Sequence, residues 1–187
     1  MTTKKIAIYG VYLAIFLFMG LTPYIGFITV GPISITLMFI PLIIMTMHLK
    51  VAGGIVGGFL FGLVAMLRII IMPDPISNLL GLGWSTLAFF VTRVILGLAL
   101  GLSMHLLMKV KWNLFVKTLI ITLVALTLNL FMVLGAIALH PVTGNLWILF
   151  GLSAVNISVE WPVTIVIAIA MLPLIKHLWL EKNNGWD

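Results

Sequence analysis

No cysteine occurs among the 187 residues, which excludes disulfides, thiolate nucleophiles and Cys-ligated metals. Charge is scarce as well: Asp, Glu, Lys and Arg make up 7% of the chain, and only 4 residues are acidic, so no aspartate cluster is present to hold magnesium. The phosphate-cradling loop GxxxxGK followed by Ser or Thr is missing, so the chain carries no nucleotide-hydrolysing motif of its own. HExxH and GxSxG are missing too, which disfavours an intramembrane enzyme. His48, His105 and His177 fall toward one end of the apolar segments and His140 toward the other. None has a second histidine or carboxylate at ligand spacing, which argues against a metal site, and no cofactor is implied.

What fills the chain is apolar: hydrophobic residues account for 63% of it, the composition of an integral membrane protein. A helix needs about 20 apolar residues to cross a bilayer. Such stretches run at 5–22, 33–49, 51–72, 84–108, 114–139 and 157–179. The expectation is an all-α bundle of six transmembrane helices forming a single domain over 1–187. Lys4 and Lys5 precede the first run as in a signal peptide, but the run continues into GLTPYIGF without a small-residue cleavage pattern, so it is read as a span.

The few cations set the orientation. Lys4 and Lys5 precede the first span, Lys50 joins the second to the third, Lys109, Lys111 and Lys117 flank the fourth connection, and Lys176 and Lys182 close the last. All fall on one side; the other carries Arg68, near Asp74. The positive-inside rule then predicts cytoplasmic N and C termini. The net charge of +6 is thereby used up by topology, and with no basic face left a nucleic-acid partner is not expected.

The connections on the opposite side are long: TPYIGFITVGPIS, MPDPISNLLGLG and HPVTGNLWILFGLSA, each with Pro and Gly. Irregular backbone near membrane depth survives where protein covers it or where it borders a watery cavity. The three segments therefore read as the roof of a binding pocket, or, more plainly, as ordinary outer loops. Gly53, Gly54, Gly57, Gly58 and Gly62 in the third span, with Gly97 and Gly101 in the fourth, line helix faces at four-residue spacing and let backbones approach closely. Gly10 and Ala14 form a similar pair in the first span, suited equally to internal packing or to docking on another subunit.

Inside this apolar chain Arg93 sits in FFVTRVILGLALGL. A guanidinium stays charged at physiological pH, and holding it at bilayer depth costs roughly 2.5 to 3.5 kcal/mol unless it is paired or faces water. The other deep charge is Glu160, in SAVNISVEWPVTIVIAIAML. Thr36, Asn78, Trp84, Ser85, Asn129, His140 and Asn156 complete the polar residues placed to meet a solute. At about 1.5 Å per residue, Arg93, Asn129, Asn156 and Glu160 can share one depth. Two compatible readings follow: Arg93 and Glu160 form a structural salt bridge with Asn129 as interhelical glue, or Arg93 offers its fork to a ligand carboxylate while Asn129 and Glu160 meet hydroxyl or amide groups. Tyr24, Phe27, Trp84, Trp147 and Trp161 suit an interfacial aromatic belt, and Trp84 and Trp147 also suit the wall of a mainly apolar pocket.

The run TPYIGFITVGPISITLMFIPLIIMTMHLKVAGGIVGGFLFGLVAML resembles the opening of the substrate-binding S-components of energy-coupling factor (ECF) vitamin transporters. There a Thr-Pro, a Gly-Pro-x-Ser-x-Thr and an Ile-Pro precede a Gly-rich third helix ending in Phe-Gly-Leu. FFVTRVILGLALG is similar to the family's Arg-containing fourth helix, TLNLFMVLG to its Asn-containing fifth and VNISVEWPV to its sixth, so the resemblance spans nearly the whole chain. It implies a multi-pass protein of the bacterial plasma membrane that captures a vitamin at its outer face. Its partners would be a transmembrane coupling subunit and two cytoplasmic ATPases, which supply the energy for an ABC-type transporter. It also implies that Gly10 and Ala14 face the coupling subunit, here as Gly-x-x-x-Ala in place of the usual pair of alanines.

The Arg and Asn pattern is most similar to pantothenate-type S-components. Pantothenate offers one carboxylate for Arg93 and hydroxyls and an amide for Asn129, Glu160, Asn156, Trp84, Asn78 and Thr36. The chain departs from the family at Leu49-Lys50-Val51, where Leu-Gly-Pro is common, and at Phe39, where His often precedes Ile-Pro. Hydroxymethylpyrimidine, pyridoxine and riboflavin are the other vitamins considered. A solitary ion-coupled carrier is the alternative of a different class.

Overall fold

The computed structural model describes residues 3–30, 33–140, 151, 154 and 156–183. Among them, four helices are long and apolar enough to cross a membrane: α1 (Thr3–Leu21), α3 (Val51–Ile71), α5 (Leu82–Met108) and α6 (Leu114–Ala138). Between α1 and α3 lie two short strands, β1 (Phe27–Val30) and β2 (Ile33–Thr36), and the short helix α2 (Phe39–Leu49). A one-and-a-half-turn helix, α4 (Pro75–Leu80), precedes α5, and the chain ends in α7 (Trp161–Ala170) and α8 (Leu172–Asn183).

The second expected span is corrected. Residues 33–36 pair antiparallel with β1, Phe27 opposite Thr36 and Val30 opposite Ile33. Ile-Ser-Ile-Thr alternates with period two and is β-branched at three of four positions, a strand pattern that a hydropathy window reads only as apolar. What remains is an 11-residue helix, about 16 Å long against a hydrocarbon core of about 30 Å. Pro41 fits because its missing N–H falls in the first turn, where no intrahelical partner exists.

The last expected span, 157–179, is also not one helix. It opens with a widened π-type turn over Asn156–Glu160, and the segments Ile157–Ala170 and Leu172–Leu178 meet at 51°. Pro173 accounts for the break, since it lacks a donor and its ring collides with the carbonyl four residues back. If the bent pair counts as one span, the described residues hold five candidate spans, against the six expected.

The glycine faces pack as their spacing requires. A methyl added at Gly54 would lie 2.5 Å from Gly101 N, and one at Gly58 would lie 2.5 Å from Gly97 Cα and 2.8 Å from Arg93 O. Gly62 continues the seam against Phe90 and the Arg93 Cβ, which makes α3 and α5 antiparallel and fixes the depth of Arg93. Gly57 and Gly53 meet Leu42, Met45 and Leu49 of α2. Gly101 against Val51 brings the Lys50 turn and the C-terminal end of α5, with Lys109 beyond it, to the same end of the bundle. The Tyr12 hydroxyl, 3.0 Å from His48 Nδ1, brings the N-terminal half of α1 there too. The hairpin and α4 occupy the opposite end.

One apolar cluster draws on α1, β1, α2, α3, α5, α6 and α8, with Phe16, Phe39, Phe61, Leu96, Leu100 and Ile121 fully enclosed. Outward faces are equally apolar: Val11, Phe18, Leu102, Leu106, Phe131 and Val166 are all exposed. Helices hydrophobic on both faces are those of a membrane-embedded bundle. Gly10 and Ala14 lie on the outward face of α1, and nothing stands within 4 Å of a methyl built at Gly10, so this pair does not pack internally.

Candidate functional site

Arg93 is only 7% exposed although it sits in a helix with apolar neighbours on every side. Its guanidinium carbon lies 5.4 Å from the ring centre of Phe61 and 5.1 Å from that of Phe89, so α3 and α5 each supply an aromatic face. Such contacts are worth about 2 kcal/mol when desolvated, less than the burial of the charge costs. One terminal nitrogen donates to Thr92 Oγ1 at 2.9 Å, while that hydroxyl donates to the Phe89 carbonyl at 3.1 Å. Nε is buried and has no hydrogen-bond partner among the described residues. The fork is thus only partly used.

Glu160 does not close the gap. No Arg93–Glu160 ion pair forms within 4.0 Å, so the direct salt bridge anticipated from sequence is absent among the described residues. The two charges act on each other at longer range, with Asp74 a weaker influence on Arg93. Glu160, 3% exposed, instead accepts the backbone N–H of Thr36 at 2.9 Å through Oε1. That bond ties β2 to the π-type turn across the hairpin end of the bundle, with Thr36 serving through its backbone.

Asn129 faces inward from α6, 6% exposed, and its side chain makes no hydrogen bond among the described residues. Asn156 begins the π-type turn four residues before Glu160; its side chain lies outside the described residues. Four residues after Glu160 comes Thr164, fully buried, with Oγ1 unpartnered. Sequence reasoning passed over Thr164, although i, i+4 spacing from Glu160 puts both on one helix face. It also passed over Phe61, Phe89 and Thr92, whose relation to Arg93 exists only once α3 and α5 are docked.

Two expected residues stand apart. Asn78 is exposed on α4, where its described bonds are backbone ones, its N–H donating to the Asp74 carbonyl at 3.0 Å and its carbonyl accepting from Gly81 N at 3.3 Å. Trp84, 40% exposed, donates from Nε1 to the Ala136 carbonyl at 3.1 Å and packs on the His140 ring. It lines an apolar groove of about 460 Å³ between α5 and α6 with Leu87, Val91, Met132 and Leu139, which Arg93, Asn129 and Glu160 do not border. Trp147 and most of the HPVTGNLWILFGLSA segment lie outside the described residues. Of the other two segments expected to roof a pocket, one is the β1–β2 hairpin. The other is α4, whose N-terminus is capped by Asp74 Oδ1 accepting from Ser77 N at 2.7 Å.

These features define a class: a helical protein whose apolar spans fit a multi-pass membrane protein and whose hairpin end buries a partly satisfied arginine, a carboxylate and an amide. Compared with protein-family models and with curated protein sequences, the chain matches none.

Proposed function

We propose that the chain is the substrate-binding S-component of an ECF-type vitamin transporter in a bacterial plasma membrane, and that its solute carries a carboxylate, pantothenate being the best fit. The observation that carries this reading is Arg93: a permanent charge enclosed by Phe61 and Phe89, with one donor on Thr92 and, among the described residues, Nε unpartnered and no carboxylate within ion-pair distance. A buried cation in that condition is stabilised by an anion that arrives with its own geometry, and a carboxylate matches the fork. Asn129 and Thr164 then offer groups for the hydroxyls and amide of the solute. The lysine-bearing end faces the cytoplasm by the positive-inside rule, so the hairpin end opens outward. Gly10 and Ala14, outward-facing on α1, are the surface for the coupling subunit, and two ATPases drive the cycle.

Binding of pantothenate to the purified chain, followed by calorimetry, tests the reading. Micromolar or tighter binding that Arg93→Ala weakens by more than tenfold supports it; a hydrogen-bonded charge contributes about 1.5–3 kcal/mol. A folded Arg93→Ala protein with unchanged affinity refutes the carboxylate pairing.

The bent α7–α8 pair favours one other reading, a solitary carrier coupled to protons or sodium, since broken helices beside a carboxylate recur in such proteins. Vesicles containing the chain alone separate the two. Accumulation driven by an ion gradient supports the carrier, and accumulation only with the coupling subunit, ATPases and ATP supports the S-component.

A further inference from the structure

A second arginine lies on the way to the first. Arg68 is in the last turn of α3, six residues beyond Gly62 and therefore about 9 Å nearer the hairpin end than the level at which Arg93 packs. It borders a pocket of about 410 Å³ with Pro23, Tyr24, Phe27, Met72 and Asp74, a lining that does not include Arg93. Among the described residues its guanidinium makes no hydrogen bond, and no carboxylate lies within 4.0 Å of it. Its close contact is with a ring face: the guanidinium carbon stands 4.3 Å from the centre of Phe27. Asp74 acts on it only at longer range and spends Oδ1 on the N-terminus of α4.

Phe27 connects the two arginines. Its ring lies 6.5 Å from that of Phe61, tilted by 46°, and Phe61 lies 5.4 Å from the Arg93 guanidinium. The order is therefore Arg68, Phe27, Phe61, Arg93: two cations held apart by two aromatic rings. Phe27 is also the register partner of Thr36, whose N–H is bound by Glu160, so the partition and the Glu160 tie belong to the same end of one hairpin.

We propose that the Arg68 pocket is a capture site for the carboxylate group of a small solute, which then passes the Phe27–Phe61 partition to reach Arg93. The inference rests on the carboxylate reading of Arg93. A half-buried cation that borders an open pocket draws an anion from solution faster than a fully buried one can. A guanidinium lying on a ring keeps its in-plane donors directed to the side, where a carboxylate approaches. Because Arg68 touches the solute only in passage, it lowers the barrier in both directions and leaves the final complex unchanged.

The test is stopped-flow binding of pantothenate to the full chain in nanodiscs. For Arg68→Gln the expectation is that association and dissociation both slow by about tenfold, the scale of electrostatic steering, with Kd held within about twofold and the salt dependence of association lost. Arg68→Lys retains most of the association rate. Phe27→Ala, which opens the partition, speeds both rates. Unchanged rates in Arg68→Gln overturn the capture site, as does a change confined to dissociation, which would make Arg68 part of the final site. If wild-type protein binds no pantothenate, the carboxylate reading of Arg93 itself fails; if Arg93→Ala loses affinity while Arg68→Gln changes nothing, only the capture site fails.

Discussion

At the lysine-bearing end of the bundle α3 and α5 approach until backbone meets backbone, through Gly54, Gly58, Gly97 and Gly101, with no polar side chain between them. At the hairpin end the same two helices enclose a guanidinium between Phe61 and Phe89, and among the described residues polar atoms of Arg93, Thr164 and Ser77 are left without partners. One pair of helices thus spends its lysine-side half on close packing and its hairpin-side half on enclosing a charge. Gly62 marks the change, since it abuts the Arg93 Cβ where the glycine seam ends. A site with unsatisfied donors is tolerable because the seam beside it is not: rigid contact in one half positions groups that would otherwise collapse onto one another in the other.

The comparison breaks most readily at Gly58. An alanine there pushes its methyl into Gly97 Cα and the Arg93 carbonyl, backbone atoms that cannot yield as a side-chain tip would. We expect Gly58→Ala to cost about 3 kcal/mol or more, at the upper end of overpacking, and to appear as a lowered thermal midpoint in detergent. Gly10→Ala is the matched control, because it meets open space. If the two substitutions prove equally mild, the seam is not what positions Arg93.

Next in size is Arg93→Ala, which acts on the other half alone. Affinity for pantothenate falls more than tenfold while the melting temperature holds or rises, since removing a partly satisfied buried charge relieves its desolvation cost. A melting temperature that collapses while affinity in the folded fraction survives would make Arg93 a structural residue and erase the contrast between the halves.

Smaller still is Glu160→Gln. The amide oxygen can still accept the Thr36 N–H, but a neutral acceptor is about half as strong as a charged one, a loss of about 1 kcal/mol. Hydrogen exchange at the Thr36 amide should quicken about fivefold in this variant, with exchange along α3 and α5 unaltered. Unchanged protection at Thr36 would mean that strand pairing, not Glu160, fixes the hairpin.

How much of this was legible in the sequence differs between the same two regions. The glycine seam could be read directly, because four-residue spacing on two apolar stretches specifies a face without reference to anything else. Arg93 and Glu160 announced themselves by cost, as charges in apolar surroundings. The hairpin did not, since Ile33 to Thr36 is apolar enough to be absorbed into a span, and its alternation covers only four residues. Nor could Arg93's actual neighbours be read: Phe61 comes from another helix, and Thr36 and Glu160 are 124 residues apart. The salt bridge expected from a pair of opposite charges gave way to a backbone donor with better geometry, a competition that residue types alone do not decide.

The smallest effect tests the seam from its far edge, at the turn between α2 and α3. Lys50 sits there at φ 59°, ψ −132°, a conformation that side chains with a Cβ adopt at a cost of about 1–3 kcal/mol and glycine adopts freely. Glycine also loosens the unfolded chain, which takes back about 0.4–1 kcal/mol. Lys50→Gly should therefore stabilise the protein by about 1 kcal/mol, seen as a modest rise in thermal midpoint, with pantothenate affinity unchanged because the turn lies at the end of the bundle remote from Arg93. The lysine is half-buried at that position, and the strain it carries is offset if its charge holds this end at a membrane surface. Midpoint and insertion should then move in opposite senses when Lys50→Gly is combined with loss of Lys109 and Lys111: a stable fold with mixed orientation. A Lys50→Gly protein that is less stable than the parent would show that the turn is held by contacts of the lysine stem, and the strain argument would go with it.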